Sequence, residues 1–349
     1  MSRRLATLAL STLAAGAAYR ALSRLNRRVS FDGARVLILG GGRGLGLELA
    51  RVFAAEGAAL ALVARSEGQL LTAKALLETG EGDRPSATAH IRAADLREPG
   101  AARDAVAWAA EAMGGLDVLV HVAGIIQVSP LEHLVRADYE DALGVHFWAA
   151  QEAMEAALPH LKRSGVARVV VVSSIAGKVA SPHLISYTAS KFALSGLADA
   201  TRAAYRRHGI YLTTVFPGLM RTGSPRNAGF KGDANAEYGW FTPRVATPVS
   251  SIASDRAARQ IVEASRVGRG RFVVTAQARL LLLADALLPE LTADAMGLVE
   301  RFYLPKPVGA EGDRLVMGFQ GPEAANPDAT SALLEAAVVR NNETDAPTP

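Results

Sequence analysis

The sequence predicts an α/β protein with a doubly wound, mostly parallel sheet of about seven strands and helices on both faces. Two observations predict this fold. Short runs rich in aliphatic residues alternate with longer helix-like segments, which is the pattern of βαβ units. The first run also leads through a glycine-rich segment into an amphipathic helix. The predicted strands are Val36–Leu39, Leu60–Ala64, Ala87–Ala93, Val118–His121, Ala167–Val172, Tyr211–Phe216 and Arg271–Thr275.

Length and composition indicate one large α/β domain with additions at both ends. The chain has 349 residues, of which 50% are hydrophobic and 21% charged, and α/β domains can exceed about 250 residues as one unit. We expect an apolar, basic helix over residues 1–30, the central domain over 31–275 and a C-terminal helical extension over 276–308. Residues 309–349 are polar and rich in Ala and Pro, which predicts a disordered tail. One short helix over Ser331 to Val339 is the alternative for part of it.

The composition also excludes several kinds of chemistry. No cysteine occurs and the seven histidines are scattered, so we predict neither a disulfide nor a metal site. The net charge is only +4, and much of the positive charge is arginine within the first 28 residues. The sequence has no basic stripe interleaved with aromatic residues, so we predict no nucleic-acid partner.

The glycine-rich segment Gly40-Gly41-Gly42-Arg43-Gly44-Leu45-Gly46 joins the first predicted strand to a helix. Glycine permits positive φ angles and close backbone approach, and a helix N-terminus offers N–H groups to a pyrophosphate. Because a strand and a helix flank it, the segment predicts a dinucleotide site.

The end of the second predicted strand bears on which dinucleotide binds. Folds selective for NAD usually carry Asp or Glu here to bind the ribose 2′-hydroxyl, but this chain has Ala64 and then Arg65. Arg43 adds a second cation in the glycine segment. Guanidinium groups bind phosphate bidentately, so the pair predicts NADP(H). The alternative is that Arg65 is a solvated residue opening a helix.

Tyr187, Lys191 and Ser174 form a candidate acid–base site. Tyr187 and Lys191 are four residues apart on a predicted helix, which places their Cβ atoms about 5–6 Å apart. We expect the ammonium group to lower the pKa of the phenol. Ser174 follows a buried strand, where open α/β sheets place their ligands. For an isolated Tyr-x3-Lys spacing, the alternative is a surface pair on a helix.

Taken together, these segments resemble the short-chain dehydrogenase/reductase family over about Phe31 to Val274. The resemblance implies a Rossmann-like domain, a nicotinamide cofactor and hydride transfer between a carbonyl and an alcohol. Tyr187 would be the general acid/base, and Ser174 would orient the substrate oxygen. Lys191 would hold the nicotinamide ribose and lower the pKa of Tyr187.

Other segments resemble positions at which the family holds its cofactor. Asp95-Leu96 resembles an adenine-contacting pair, and Pro217–Thr222 resembles a Pro-Gly-x3-Thr segment beside the nicotinamide. The implied cofactor-binding set is Gly40, Gly42, Arg43, Gly44, Leu45, Gly46, Arg65, Asp95, Leu96, Ala123, Gly124, Tyr187, Lys191, Pro217, Gly218 and Thr222.

Two departures from the family pattern bear on catalysis. His121-Val122 replaces an Asn-Asn pair, and His146 stands where the family usually has Asn, in a helix predicted over Asp138 to Lys162. That Asn is thought to kink the helix and hold a water in a proton relay to Lys191. If a backbone carbonyl carries this water, His146 would preserve the relay, which its ring could even join, and would count as a catalytic residue. The alternative is a buried packing imidazole in a poorly active protein.

The sequence therefore predicts an NADP(H)-dependent oxidoreductase for a small hydrophobic carbonyl or alcohol substrate. A low-activity NADP(H)-binding sensor or interaction protein is the alternative. Residues 222–248 include Phe230, Tyr238, Trp240 and Phe241, which favours a mobile lid over an apolar substrate. An irregular surface loop that packs its own aromatic side chains is the alternative.

Two apolar segments outside the central domain bear on localisation and assembly. Leu5 to Tyr19 is uncharged but shorter than the roughly 20 residues of a membrane span. We expect a cytoplasmic protein. For residues 1–30 three alternatives stay open: peripheral contact with a membrane, a soluble helix and an export signal. Leu280 to Pro289 could cover the substrate pocket, pair with a second subunit of a homo-oligomer, touch a membrane or pack in the core.

Overall fold

The computed structural model describes residues 25–79, 87–320 and 329–344, together with residues 15, 22 and 23. Most of the helix predicted over residues 1–30, and with it the expected membrane contact, lies outside these residues. Among the helices in the described ranges, none has the length and apolar character that crossing a bilayer requires.

A seven-stranded parallel sheet forms the centre of the molecule, which confirms the predicted fold class. Its strand order is β11-β7-β6-β4-β1-β2-β3, so the order reverses between β1 and β4, and such switch points open the crevice in which α/β sheets bind ligands. The strands are β1 (Arg35–Leu39), β2 (Ala59–Ala64), β3 (Ala89–Ala93), β4 (Val118–His121), β5 (Gln127–Val128), β6 (Arg168–Val172), β7 (Tyr211–Phe216), β8 (Leu219–Arg221), β9 (Gly229–Phe230), β10 (Ser251–Ala253), β11 (Arg271–Val273) and β12 (Val316–Met317).

Helices cover both faces of this sheet. The α1, α2 and α9 helices bury apolar side chains on one face, and α3, α5 and α6 do so on the other. The helices are α1 (Gly44–Ala54), α2 (Glu67–Thr79), α3 (Ala101–Ala112), α4 (Arg136–Leu143), α5 (Ala149–Leu161), α6 (Ile185–Arg206), α7 (Ser224–Asn227), α8 (Ala234–Ala246), α9 (Ser254–Arg266), α10 (Ala276–Leu287), α11 (Pro289–Phe302) and α12 (Ala329–Arg340).

The predicted C-terminal helical extension is present as α10 and α11. Leu281 and Met296 from these helices line a cavity described below. Other large apolar side chains of the same helices, including Leu283, Leu287 and Phe302, are exposed. The extension thus contributes to a pocket wall and also presents an apolar surface.

The helix predicted over Asp138 to Lys162 is interrupted. Residues Gly144–Trp148 form a π-helical turn between α4 and α5, and such turns insert one extra residue per turn. The turn buries Val145 and His146. A local distortion therefore stands where the resemblance implied a kink.

The structure corrects two predictions in the C-terminal half. Residues 222–248 are not an irregular loop, because α7 and α8 lie there, although Phe230 does pack against Tyr238 and Phe241 with ring centroids 5.5 and 6.1 Å away. The mobile lid stays a prediction. The disordered tail predicted over 309–349 is also wrong for its described residues. There β12 pairs with β9, and α12 buries Leu334 and Val338.

Candidate active site

The glycine segment makes a tight turn that only glycine fits at two positions. Gly40 has a φ of 95° and would place a Cβ 2.6 Å from the backbone nitrogen of Ala123. A Cβ at Gly46 would lie 1.9 Å from the carbonyl oxygen of Gly40. The turn therefore brings the start of α1 against the ends of β1 and β4, and a helix N-terminus is a position at which N–H groups can bind an anion.

A first cavity of about 360 Å³ lies over this turn. Its wall includes the residues that directly follow β1, β3 and β4, namely Gly40, Ala94 and Val122. The structure thus brings most of the predicted cofactor-binding residues together. Those that line this cavity are Gly40, Gly42, Arg43, Gly44, Leu45, Gly46, Arg65, Asp95, Leu96, Ala123, Gly124 and Thr222.

The two arginines predicted at the ribose differ in their surroundings. Arg65 is exposed at the end of β2. The Arg43 side chain donates to Asn227, and burial lowers its pKa, with the charge of Arg65 acting in the same direction. On the facing side, burial disfavours ionised Asp95, but hydrogen bonds from Arg97, the shortest at 2.6 Å, outweigh burial and lower the pKa of Asp95.

A second cavity of about 320 Å³ contains the predicted acid–base residues. Its other walls are mostly apolar, with Ile125, Val179, Phe241 and Leu281 among them. The predicted residues that line it but not the first cavity are His146, Ser174, Tyr187, Lys191, Pro217 and Gly218. The two cavities share one wall formed by Leu45, Val122, Gly124, Ile125, Ile126, Met220, Thr222 and Ser224.

Ser174, Tyr187 and Lys191 lie together as the sequence predicts, but the pKa of Tyr187 shifts in the opposite direction from the one expected. Burial raises the pKa of Tyr187, and its hydrogen bond with Ser174 opposes the rise only in part. Lys191 is 4% exposed, and burial lowers its pKa to about 7. Its Nζ lies 5.6 Å from the centre of the Tyr187 ring and donates to the carbonyl oxygen of Val172 at 3.1 Å. The expected lowering of the Tyr187 pKa is therefore wrong for this structure, because burial outweighs the hydrogen bond with Ser174.

His146 lies directly beneath this site, and both of its ring nitrogens are engaged. Ser190 Oγ donates to the carbonyl oxygen of Tyr187 at 2.8 Å, so the 2.7 Å contact between His146 Nδ1 and Ser190 Oγ has the ring as donor. Its Nε2 accepts from the Ile125 N–H at 3.2 Å. The alternative in which the ring itself relays protons is thus not supported by this geometry.

Both buried imidazoles near Lys191 are neutral. Burial lowers the pKa of His146 well below its usual value, and the charge of Lys191 adds to the effect. Burial and Lys191 likewise lower the pKa of His121 to about 3, although backbone hydrogen bonds at Val145 and His146 oppose this. His121 and His146 therefore add no positive charge beside Lys191.

His183 joins three elements at the edge of the second cavity, which sequence reasoning did not show. It has a φ of 58°, and its Nδ1 lies 2.8 Å from the buried carboxylate of Glu237 on α8. Its Nε2 lies 3.2 Å from Glu300 on α11, and Trp240 Nε1 donates to Glu237 at 2.6 Å. The network holds α8 and α11, which carry cavity residues, against the loop before α6.

Glu343 is a further residue of the first cavity that the sequence did not reveal. It lines that cavity and is only 5% exposed. No local pattern announces it, because it belongs to a polar segment far from the glycine turn in the chain.

Comparison with known proteins agrees with this arrangement. The family model described as short chain dehydrogenase matches residues 34–229. Gluconate 5-dehydrogenase of Gluconobacter oxydans is 32% identical over 55% of this chain and 73% of its own length. The 3-ketodihydrosphingosine reductase of Mus musculus is 29% identical over 54% of this chain and 57% of its own length. A short chain dehydrogenase from Burkholderia cenocepacia, solved in complex with NADP, superposes with a TM-score of 0.61 at 28% identity, over 72% of this chain and 100% of that one.

Proposed function

Because this chain belongs to the short-chain dehydrogenase family of oxidoreductases, we propose that it interconverts a hydrophobic carbonyl compound and the corresponding alcohol with NADP(H). The wall shared by the two cavities carries this proposal. The first cavity lies over the glycine turn and the second contains Ser174, Tyr187 and Lys191. A dinucleotide on the glycine turn can thus present its reactive end to the acid–base residues.

The residues of the first cavity suit a phosphorylated dinucleotide. The turn at Gly40 and Gly46 leaves no room for a Cβ and presents backbone N–H groups to a pyrophosphate. The exposed guanidinium of Arg65 suits a 2′-phosphate, while Asp95 and Leu96 would contact the adenine. The NADP complex of the Burkholderia cenocepacia relative supports this choice of cofactor. When bound, NADPH supplies the hydride that reduces a carbonyl carbon.

The acid–base residues would handle the oxygen of the substrate. Ser174 would donate to the carbonyl oxygen, and Tyr187 would give that oxygen its proton as the alcohol forms. The raised pKa of Tyr187 keeps the phenol protonated at neutral pH, as an acid in reduction requires. Lys191 makes one hydrogen bond, to Val172, but an ammonium group has three donors. Its other N–H groups would hold the ribose hydroxyls of the cofactor.

The second cavity favours an apolar substrate. Its wall includes Ile126, Leu184, Val245, Leu281 and Met296, and such surface gains about 25 cal/mol per Å² when an apolar ligand covers it. A long-chain or steroid-like ketone fits this wall better than a sugar acid. Pro217 and Gly218 would bound the nicotinamide side of the pocket, and His146 would position Ser190 and Ile125 below Tyr187 and not exchange protons itself.

The proposed reaction is tested by comparing the turnover of the intact chain with that of the Tyr187→Phe variant. We expect purified protein to oxidise NADPH in the presence of a panel of apolar aldehydes and ketones. Tyr187→Phe should lower kcat about 10²–10⁴-fold, the usual contribution of a general acid, with little change in NADPH affinity. Tyr303→Phe is the matched control, because that tyrosine is 73% exposed. Turnover that survives Tyr187→Phe would contradict the assigned role. Tight NADPH binding without turnover on any compound would favour the low-activity binding protein.

Cofactor selection has a separate test in Arg65→Ala. The substitution should weaken NADPH binding far more than NADH binding, because only NADPH carries the 2′-phosphate. Arg207→Ala, at an exposed position after α6, controls for the loss of one positive charge. Equal losses for the two cofactors would exclude a phosphate contact at Arg65.

A further inference from the structure

The residues that follow α12 are hydrogen-bonded to the glycine turn. The carbonyl oxygen of Asn341 accepts from the Gly44 N–H at 2.9 Å. Asn342 Nδ2 donates to the carbonyl oxygens of Gly42 at 2.9 Å and Gln69 at 2.8 Å. Asn342 has a φ of 58°, a conformation that Asn tolerates better than most residues. The segment is thus fitted to the turn through specific polar contacts.

Glu343 places a carboxyl group in the first cavity. Its Oε2 accepts from the Gly223 N–H at 2.5 Å, and a Cβ at Gly44 would lie 3.2 Å from its Oε1. The positive charge of Arg43 also acts on it. The carboxyl group therefore lies between the glycine turn and the residue after Thr222, among donors that suit an anion.

The body of the protein fixes this segment in place. Leu334 and Val338 of α12 are 4% and 0% exposed. Arg340 Nε lies 2.9 Å from Glu48 Oε1, and Arg51 Nη1 donates to the Arg340 carbonyl oxygen at 3.0 Å. Packing of α12 thus delivers the segment to the same turn each time the tail docks.

We propose that residues 341–343 form an internal competitor for the phosphate subsite, in which the Glu343 carboxyl group takes the place of a phosphate until a phosphorylated ligand displaces it. The identity of that ligand as NADP(H) rests on the proposed function, whereas the competition rests on the contacts of the segment. A carboxyl group and a phosphate both accept from backbone N–H groups, and the Gly223 N–H and the space beside Gly44 can serve only one of them at a time. Docking of the tail therefore lowers the fraction of molecules that can bind the cofactor.

The test compares Glu343→Ala, which removes the carboxyl group from the cavity, with a chain that ends at Arg340. Glu335→Gln is the matched control, because Glu335 lies on α12 and pairs with Arg226 at 3.7 Å, outside the wall of the cavity. If nine-tenths of the molecules hold the tail docked, both test variants should bind NADPH about tenfold more tightly than the intact chain. The Glu335 variant should bind it as the intact chain does.

Hydrogen exchange supplies a readout that does not depend on the nicotinamide. The Asn341 and Glu343 amides donate to the carbonyl oxygens of Ala337 and Val338, each at 2.9 Å, so they are protected while the tail is docked. Saturating NADPH, and separately inorganic pyrophosphate, should speed their exchange in the intact chain. Binding of NADPH that leaves their exchange and the variants' affinities unchanged, or weaker binding by Glu343→Ala, would overturn the competition and leave the proposed function standing. Faster exchange with pyrophosphate but no binding of NADPH would support the competition and refute the proposed cofactor. No binding of either ligand by any variant would overturn both.

Discussion

Replacing Lys191 by Met should make the cofactor-free protein more stable at neutral pH while it abolishes turnover. Lys191 is 4% exposed, and burial lowers its pKa from 10.5 to about 7. The folded state thus resists protonation of this amine, so the lysine reduces stability wherever the unfolded chain carries the charge. This loss of stability is complete below the pKa of Lys191 in the folded state and vanishes above its pKa in the unfolded state.

The size of the effect follows from that shift. Each pKa unit corresponds to about 1.4 kcal/mol, so the buried amine costs roughly 4 kcal/mol at pH 7 and about 1.4 kcal/mol at pH 9.5. Methionine fills similar space but loses the hydrogen bond to Val172, which is worth about 1 kcal/mol. Lys191→Met should therefore raise the free energy of unfolding by about 3 kcal/mol at pH 7 and leave it nearly unchanged at pH 9.5.

Urea unfolding of the cofactor-free proteins, followed by tryptophan fluorescence at both pH values, measures this difference. Lys74→Met is the matched control, because the side chain of Lys74 is 39% exposed, and such surface changes alter stability by no more than about 0.5 kcal/mol. A Lys191→Met protein that is less stable at pH 7, or whose advantage is the same at both pH values, would refute the reasoning.

Two further substitutions test the glycine turn and the His183 network. Gly46→Ala should weaken NADPH binding at least about 100-fold, an effect on the scale of local strain. Gly196→Ala should not weaken it, because nothing lies within 4 Å of a Cβ there. Fluorescence titration measures both affinities, and equal affinities would contradict the steric argument. Burial opposes charging of His183, but hydrogen bonds with Glu237 and Glu300 outweigh it and raise the pKa of His183. The charged His183 therefore stabilises the fold fully below about pH 6.5, and this stabilisation is lost as pH rises through the raised pKa. The free energy of unfolding of the intact chain should therefore fall more between pH 6 and pH 9 than that of His183→Gln. Parallel pH profiles of the two proteins would exclude a charged His183.

Local sequence pattern predicted the sheet and the acid–base site because both depend on neighbours in the chain. The run Arg168–Val172 is entirely buried, as a continuous β-branched strand between helical layers must be. The spacing of Tyr187 and Lys191 likewise fixes their common helix face. Such spacing contains no measure of burial, however, so it could not show that burial raises the Tyr187 pKa.

The features that the sequence did not predict depend on contacts between distant segments. The tail has the polar composition of a disordered segment, yet two buried side chains, Leu334 and Val338, and the bonds of Asn342 to the glycine turn suffice to dock it. A few contacts thus decide order where the average composition does not.

The charge state of Glu343 makes its competition with the cofactor measurable. Burial raises the pKa of its carboxyl group from 4.5 to about 7, although the Gly223 N–H, the charge of Arg43 and a hydrogen bond from Asn341 oppose the rise. Docking of the tail is therefore most favourable below pH 4.5 and weakens as pH rises through 7. A docked tail holds about half a proton on Glu343 at pH 7, and a displaced tail returned to water holds almost none.

Displacement by NADPH should consequently release about half a proton more per molecule from the intact chain than from Glu343→Gln at pH 7. Lys191 takes up protons in both proteins if the cofactor ribose restores its charge, so this contribution cancels in the difference. Calorimetric titration with NADPH in two buffers of different ionisation enthalpy gives the proton count for each protein. Equal counts would mean that the carboxyl group stays where it is when the cofactor binds, and Glu343 would then be part of the cofactor site, not its competitor.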